Sequence, residues 1–304
     1  MAGPNGPSRV RQPAVAGLFY PADARECRQL AGEFVREGET TAIATAEELV
    51  DAWGAIVPHA GWICSGAIAG EAIAALARRA PRPDVVVVFG AVHTPLHIDF
   101  AALPSHERWQ EPAGDSEVAH EVTSRLSEAG GLFAIDDRFH ETEHAVEVEL
   151  PLIQLAWPAA RVLPMEVPLI DDAATVGRTV AQDMEASGVS AVFLASSDLT
   201  HYGPAYGFAP AGVGMSGLAW AKDNDRRLLE RVMDMAVDRI VPDVRAQMNA
   251  CGGGAIAAMM AACRERGATR GQVLRHANSF ETLADIAPQR PDNAVGYAGA
   301  LIGR

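Results

Sequence analysis

The sequence predicts an α/β fold with a single domain, in which a mainly parallel central sheet is flanked by helices. Three short apolar runs, at residues 54–57, 85–89 and 191–195, contain β-branched residues and lack polar alternation. That pattern is typical of strands buried on both faces. Ala-rich segments of helical length lie in the same region of the chain, at residues 67–79, 116–128 and 173–187. Strands that alternate with helices favour a parallel sheet covered by helices.

The remaining segments extend this pattern. Apolar residues recur at helical spacing over residues 23–37, and further helices are expected at 144–155, 224–235 and 254–266. Strands are expected at 161–167 and 293–302. Residues 1–12, rich in Gly and Pro, predict a flexible N-terminal tail. The sequence contains no internal repeat or linker, so we expect one domain over residues 13–304.

Composition and charge exclude several classes of function. The 304 residues are 49% hydrophobic and 21% charged, an ordinary globular composition. The formal charge of −14 repels phosphate backbones and anionic lipids, so no nucleic acid and no membrane is expected as a partner. No run of about 18 apolar residues occurs, and the polar N-terminus is unlike a signal peptide. The few cysteines form no CxxC pair, which predicts reduced thiols and a cytoplasmic protein.

A histidine follows each of the three predicted buried strands. His59 follows the first run, His93 the second and His201 the third. One such histidine often only caps a turn, whereas three in equivalent positions indicate a shared site. Ligands of open parallel sheets bind outside the carboxyl ends of the strands, so we expect the three side chains to converge there.

Cys251 lies directly before the predicted helix at residues 254–266. Free amides and the dipole at a helix N-terminus lower the pKa of a thiol, and the thiolate is the form that binds metals or attacks carbon. The alternative interpretation is a buried structural cysteine in a tight turn. We give that interpretation to Cys27, Cys64 and Cys263.

The acidic stretch from His140 to Pro151 is less decisive. His140 and His144, or His144 and Glu147, are spaced so that either pair could share one helical face. The segment superficially resembles the HExxH zinc motif, but Pro151 soon interrupts it. Glu147 is expected either to orient a histidine ligand or to lie on a solvated helix face. Surface or packing roles are expected for the other histidines, His97, His106, His120 and His276.

Taken in order, these motifs resemble the Memo family, whose bacterial and archaeal branch is often called AmmeMemoRadiSam system protein B. The resemblance spans nearly the whole chain. Its motifs are residues 11–21, Pro58-His59-Ala60-Gly61, Glu143-His144, Ser196-Ser197-Asp198-Leu199-Thr200-His201-Tyr202, Ala250-Cys251-Gly252 and Gly296-Tyr297-Ala298.

The resemblance implies a fold like that of class III extradiol dioxygenases, which hold Fe(II) at the top of an α/β sheet and open aromatic diols with O2. It implies metal ligands at His59, His93 and Cys251, and an additional active-site histidine at His201. In the dioxygenase relatives the third ligand is a carboxylate. A thiolate is softer, suits iron or copper(I), and need not support ring cleavage.

The sequence departs from the family pattern around these residues. Gly90-Ala91-Val92-His93 stands where the family usually has Gly-Pro-Ser-His, and Glu143-His144-Ala145 stands for Glu-His-Ser. Residues 203–220, rich in Gly, Pro and aromatics, replace a segment expected to be more acidic. The implied ligands are intact, while their surroundings, and with them the substrate, differ from the family pattern.

The leading prediction is therefore an O2-dependent oxidoreductase that acts on a small molecule at non-haem Fe(II). His201 is expected to act as general acid or base. Asp198 is expected to orient His201 or cap the adjacent turn, and His144 to hydrogen-bond oxygen at the centre. Candidate pocket-lining residues are the aromatics Trp62, Tyr202 and Tyr206.

Two alternatives use the same residues. In one, the chain is a non-catalytic iron- or copper-binding or scaffold protein. In the other, it is a zinc hydrolase whose metal activates water. The sequence leaves the native metal, the substrate and the oligomeric state open.

Overall fold

Four parallel strands form the centre of a large sheet in the computed structural model, which describes residues 9–45, 49–287 and 290–304. They are buried along almost their whole length, because both faces of the sheet are covered. In spatial order they are β2 (Ala52–Val57), β9 (Ala191–Ser196), β3 (Val85–Gly90) and β8 (Arg161–Glu166).

Antiparallel strands extend this parallel centre on both sides. On one side β12 (Ala294–Gly303) pairs with β2, and β10 (His201–Tyr202) and β11 (Arg270–Asn278) pair with β12. On the other side β4 (Ala101–Leu103) runs antiparallel to β8 and parallel to β7 (Phe133–Ile135). The predicted α/β fold is confirmed, with its parallel pairing concentrated in the centre of a mixed sheet.

Helices cover both faces of this sheet. Successive side chains of a strand point to opposite faces of the sheet. Val86 and Val88 of β3 therefore lie in one core, and Val85 and Val87 lie in the other. The first core lies under α1 (Ala24–Thr45), α2 (Trp62–Arg79) and α4 (Leu150–Ala156). The second lies under α3 (His120–Ala129), α5 (Ala173–Ala186), α6 (Met215–Met233), α7 (Val237–Gln247) and α8 (Gly253–Glu265).

Several element boundaries differ from the sequence-based expectation. The helix expected at 116–128 starts only at His120, because residues 114–117 belong to a strand. The helix expected at 144–155 starts with a 3₁₀ turn, Glu147–Glu149. The sequence did not predict α7, whose interior contains Pro242. Within the described ranges, no helix has the length and apolarity needed to cross a bilayer.

A small second sheet replaces the end of the predicted flexible tail. It consists of β1 (Val10–Arg11), β5 (Arg108–Glu111) and β6 (Gly114–Glu117). Residues 1–8 lie outside the described part of the chain. Arg11 is buried, its guanidinium lies 4.4 Å from the centre of the Trp109 ring, and it forms an ion pair with Glu147. The expected tail over residues 1–12 is therefore wrong at residues 10–11, because this buried ion pair fixes the chain.

Candidate metal centre

His59 is held in one tautomer by the end of β9. It follows β2, is 1% exposed, and its Nδ1 lies 2.9 Å from Ser196 Oγ. The single hydroxyl hydrogen of Ser196 is donated to the carbonyl oxygen of Ala145 at 2.5 Å. Ser196 Oγ therefore accepts from His59, which places the hydrogen on Nδ1. The lone pair of His59 Nε2 is left for a ligand.

Glu143 performs the corresponding role for His93, which follows β3. Its Oε1 lies 2.8 Å from His93 Nδ1, and its Oε2 accepts from the His93 backbone N–H at 2.6 Å. Oε1 also accepts from the N–H groups of His144 and Ala145. Burial opposes ionisation of Glu143, but the hydrogen bonds from His144 and His93 outweigh it and hold its pKa far below the usual range. His93 Nε2 is thereby free to face the centre.

Glu147, which the sequence suggested as the carboxylate that orients a histidine ligand, lies elsewhere. Its side chain is buried and binds Arg11, the backbone N–H groups of Ala14 and Val15, and the Tyr20 hydroxyl. The expectation assumed a helix over this segment, whereas residues 140–146 are not helical. Glu147 instead ties the N-terminal segment to the stretch that carries Glu143.

Cys251 lies in the bend before α8, with Sγ 3.2 Å from His59 Nε2. A Cβ added to Gly252 would lie 2.7 Å from Ser197 Cβ, so this close approach requires glycine. Burial raises the pKa of the Cys251 thiol, and a hydrogen bond from His93 lowers it in part. The expectation of a lowered pKa at the helix start is wrong, because the effect of burial is larger.

The three donor atoms of His59, His93 and Cys251 all lie within 4.8 Å of one another. An ion about 2.0–2.3 Å from each nitrogen and sulfur fits such spacing. Burial lowers the pKa of His93, but hydrogen bonds to Cys251 and Glu143 outweigh it and raise the pKa to about 10. The interaction between His93 and Cys251 thus favours a protonated imidazole and a thiolate. Two imidazoles and a thiolate form a donor set that suits iron, copper or zinc.

His93, Glu143 and His144 form a second group with metal-ligand spacing. The two carboxylate oxygens of Glu143 already accept four N–H groups. The group containing Cys251 therefore fits an ion better. The ring of His144 instead stacks on His93, with centroids 4.5 Å apart, and lies 5.2 Å from His59.

His201 lies near enough to His59, His93 and His144 to interact with them electrostatically, but it has no close acid partner among the described residues. Its Nε2 is 3.9 Å from Asp198 Oδ2, which is too long for a hydrogen bond. Asp198 Oδ1 accepts the His59 backbone N–H at 2.9 Å, so Asp198 secures the His59 loop more directly than it orients His201. Burial raises the pKa of Asp198 to about 7. Burial also lowers the pKa of His201 to about 4, and His93 and His144 add to that decrease.

Two of the histidines at the centre are partly exposed. His59 is buried, whereas the side chains of His93 and His201 are 32% and 37% exposed. The Tyr206 ring lies 5.1 Å from that of His201. Phe19, which was not among the expected pocket residues, lies 4.8 Å from the His144 ring. Aromatic rings therefore flank the exposed histidines.

Trp62 and Tyr202, the other two residues expected to line the pocket, are packed in the interior instead. The Trp62 indole donates to the Val148 carbonyl at 3.0 Å, and the Tyr202 hydroxyl donates to the Gly212 carbonyl at 2.7 Å. Both side chains are buried. His140 is also buried, with Nδ1 3.7 Å from Glu166 Oε1, and does not share a helical face with His144.

Helix α6 secures the turn before His201 through residues that the sequence did not single out. Asp225 Oδ1 accepts the Thr200 backbone N–H at 2.9 Å, and its Oδ2 lies 3.0 Å from His276 Nε2. Asn224 donates to Thr200 Oγ1 and to the Gln247 carbonyl. His276 therefore has a specific partner, which no local spacing could reveal. Ser196 and Glu143, in contrast, lie inside the family motifs and could have been singled out from them.

Comparisons with known proteins give one consistent result. The family model described as "Memo-like protein" matches residues 11–301. A MEMO1 family protein of Methanococcoides burtonii is 33% identical, over 96% of this chain and 100% of its own length. One from Methanosarcina barkeri is 31% identical over 96% and 100%. One from Pyrococcus horikoshii is 30% identical over 97% and 99%.

Proposed function

This chain belongs to the Memo family, and from that premise we propose that it holds non-haem Fe(II) and uses O2 to oxidise a small molecule. His59, His93 and Cys251 are the proposed ligands. The observation that carries the proposal is the convergence of their donor atoms within 4.8 Å, with Nδ1 of both histidines already engaged. Hydrogen-bond partners such as Ser196 and Glu143 fix the ring orientation of metal-binding histidines.

Fe(II) bound by three residues would keep open positions for substrate and O2. The surrounding side chains then have separate roles. His201 is neutral near pH 7, because burial lowers its pKa to about 4, and its side chain is partly exposed. A neutral imidazole can accept a substrate proton. Asp198 holds the His59 backbone, and His144 forms one wall against His93.

One feature favours a second candidate, a protein that holds iron or copper without turnover. The third donor is the thiolate of Cys251, and soft thiolate ligands suit copper(I) as well as iron. The two functions differ in O2 consumption. The protein should be reconstituted anaerobically with Fe(II) and then mixed with catechols and thiols in an oxygen electrode. Sustained consumption supports the oxidoreductase, whereas its absence with every compound contradicts it.

Two variants separate binding from chemistry. We expect Cys251→Ser to lose bound metal, while Cys64→Ser, a matched change at a cysteine outside the donor group, keeps it. His201→Gln should keep the metal and lose most of the O2 consumption, because the glutamine amide cannot accept the substrate proton. Unchanged metal content in Cys251→Ser would contradict the ligand set. Full zinc occupancy without iron affinity would favour the zinc hydrolase.

A further inference from the structure

A cavity of about 510 Å³ lies outside the metal-ligand group. It lies between helices α1 and α2 on one side and the β11 region with the short helix α9 (Ser279–Thr282) on the other. Its walls are mainly hydrocarbon and aromatic side chains, including Leu30, Phe34, Trp62, Ile63, Ala67 and Ile68. Cavities of this size and character are typical of small-molecule sites.

Two polar groups lie in this apolar lining. Arg275 is the charged residue among those that line the cavity, and it is exposed at an irregularity in the pairing of β11 with β12. Its charge acts on the buried Glu71, but it forms no salt bridge with a described residue. The hydroxyl of Thr282 has no hydrogen-bond partner among the described residues, but it is shielded from solvent. The exposed guanidinium of Arg275 is therefore the group that fits a carboxylate.

The mouth of the cavity is apolar as well. Ile63 and Ile286 line it, and each is 62% exposed. Large aliphatic side chains with this exposure gain stability when a hydrocarbon covers them. The chain as a whole carries a formal charge of −14 and repels anions. An anion bound beside the exposed Arg275 must therefore gain affinity from hydrocarbon that covers the apolar lining as well.

We propose that this cavity binds an apolar carboxylic acid. The hydrocarbon part lies against α1 and α2, and the carboxylate accepts hydrogen bonds from the Arg275 guanidinium. This site goes beyond the proposed function and does not depend on it, because none of its lining residues is a proposed metal ligand.

The test is isothermal titration calorimetry of the full chain with octanoate, and with octan-1-ol as the neutral compound of equal chain length. We expect saturable binding of octanoate with one site per chain, and at least about tenfold weaker binding of octan-1-ol, since hydrogen bonds to charged groups contribute more than neutral ones. Trp62 lines the cavity, so its fluorescence should change on binding.

Three variants assign the binding to the cavity. Arg275→Gln should weaken octanoate binding about tenfold. Arg270→Gln, an exposed arginine on the same strand but outside the cavity, should leave it unchanged. Ala67→Phe should fill the space and abolish binding, while its urea unfolding midpoint shows whether the fold is kept.

Several results would overturn the proposal. One is the absence of saturable heat with octanoate, and another is equal affinity for the acid and the alcohol. Equal affinities of Arg275→Gln and Arg270→Gln would remove the role of the guanidinium. Sedimentation velocity tests a different occupant. If the unchanged protein is a dimer that does not bind octanoate, and Ala67→Phe is a monomer, a second copy of the chain occupies the cavity instead.

Discussion

Replacing Glu143 with Gln removes the negative charge beside His93 while keeping the size of the side chain. Three N–H groups donate to Oε1, from His93 Nδ1, His144 and Ala145, and the His93 backbone N–H donates to Oε2. A glutamine keeps most of these bonds by placing its oxygen at the Oε1 position. Its NH₂ group then faces the His93 backbone N–H, so one hydrogen bond is lost and two donors oppose each other.

The expected effects follow from this geometry. Removing a partner that orients a metal-binding histidine typically weakens metal affinity about 10- to 100-fold, and we expect that range for Glu143→Gln. The unpaired donors should also lower the free energy of unfolding of the metal-free chain by about 1–3 kcal/mol. Metal affinity is measured by competition with a chelator, and stability by urea unfolding of the metal-free protein.

Glu128→Gln is the matched control, because Glu128 is exposed on α3 and outside both metal-ligand groups. It should change neither quantity. If Glu143→Gln bound Fe(II) as tightly as the unchanged protein, the carboxylate would not orient a ligand, and the assignment of His93 would lose its main structural support. A loss of stability with no loss of affinity would lead to the same conclusion.

Two further predictions concern stability. Arg11→Met should destabilise the chain by about 3–5 kcal/mol in urea unfolding, because it leaves the buried charge of Glu147 without its cationic partner; a loss below about 1 kcal/mol would contradict this. Gly177→Ala should cost about 1–3 kcal/mol, because the new Cβ would lie 1.8 Å from the carbonyl oxygen of Ala258 where α5 and α8 meet. Gly32→Ala is its control, since that Cβ meets only the mobile end of Arg36, and equal thermal midpoints of the two variants would refute the argument.

The central strands and the histidines that follow them were predictable because their signals are local. A strand buried on both faces must be continuously apolar, as Val85–Gly90 is, and parallel strands direct their carboxyl ends to one edge of the sheet. His59 and His93 follow two such strands, and the structure brings their donor atoms together with that of Cys251.

The partners of these residues could not be derived from spacing. Glu143 contacts His93 across 50 positions of sequence, and Asp225 contacts His276 across 51. Helical spacing favoured Glu147 as the partner of a histidine. Residues 140–146 are not helical, so side chains three or four positions apart do not share a face there. Tertiary contacts decide these pairings.

The pKa of Cys251 was mispredicted for a related reason. Its position before a helix is visible in the sequence, and that position alone favours a thiolate. Burial depends on the side chains that surround the bend, and burial raises the pKa. A cation beside the sulfur, such as protonated His93 or a bound metal ion, would favour the thiolate.

The most direct test of the central claim is anomalous scattering from crystals grown with Fe(II) under anaerobic conditions and recorded on either side of the iron edge. We predict a single strong peak that appears above the edge, within about 2.0–2.4 Å of His59 Nε2, His93 Nε2 and Cys251 Sγ. A peak bound by Glu143 and His144 instead, or no peak at these three donors, would contradict the proposed centre.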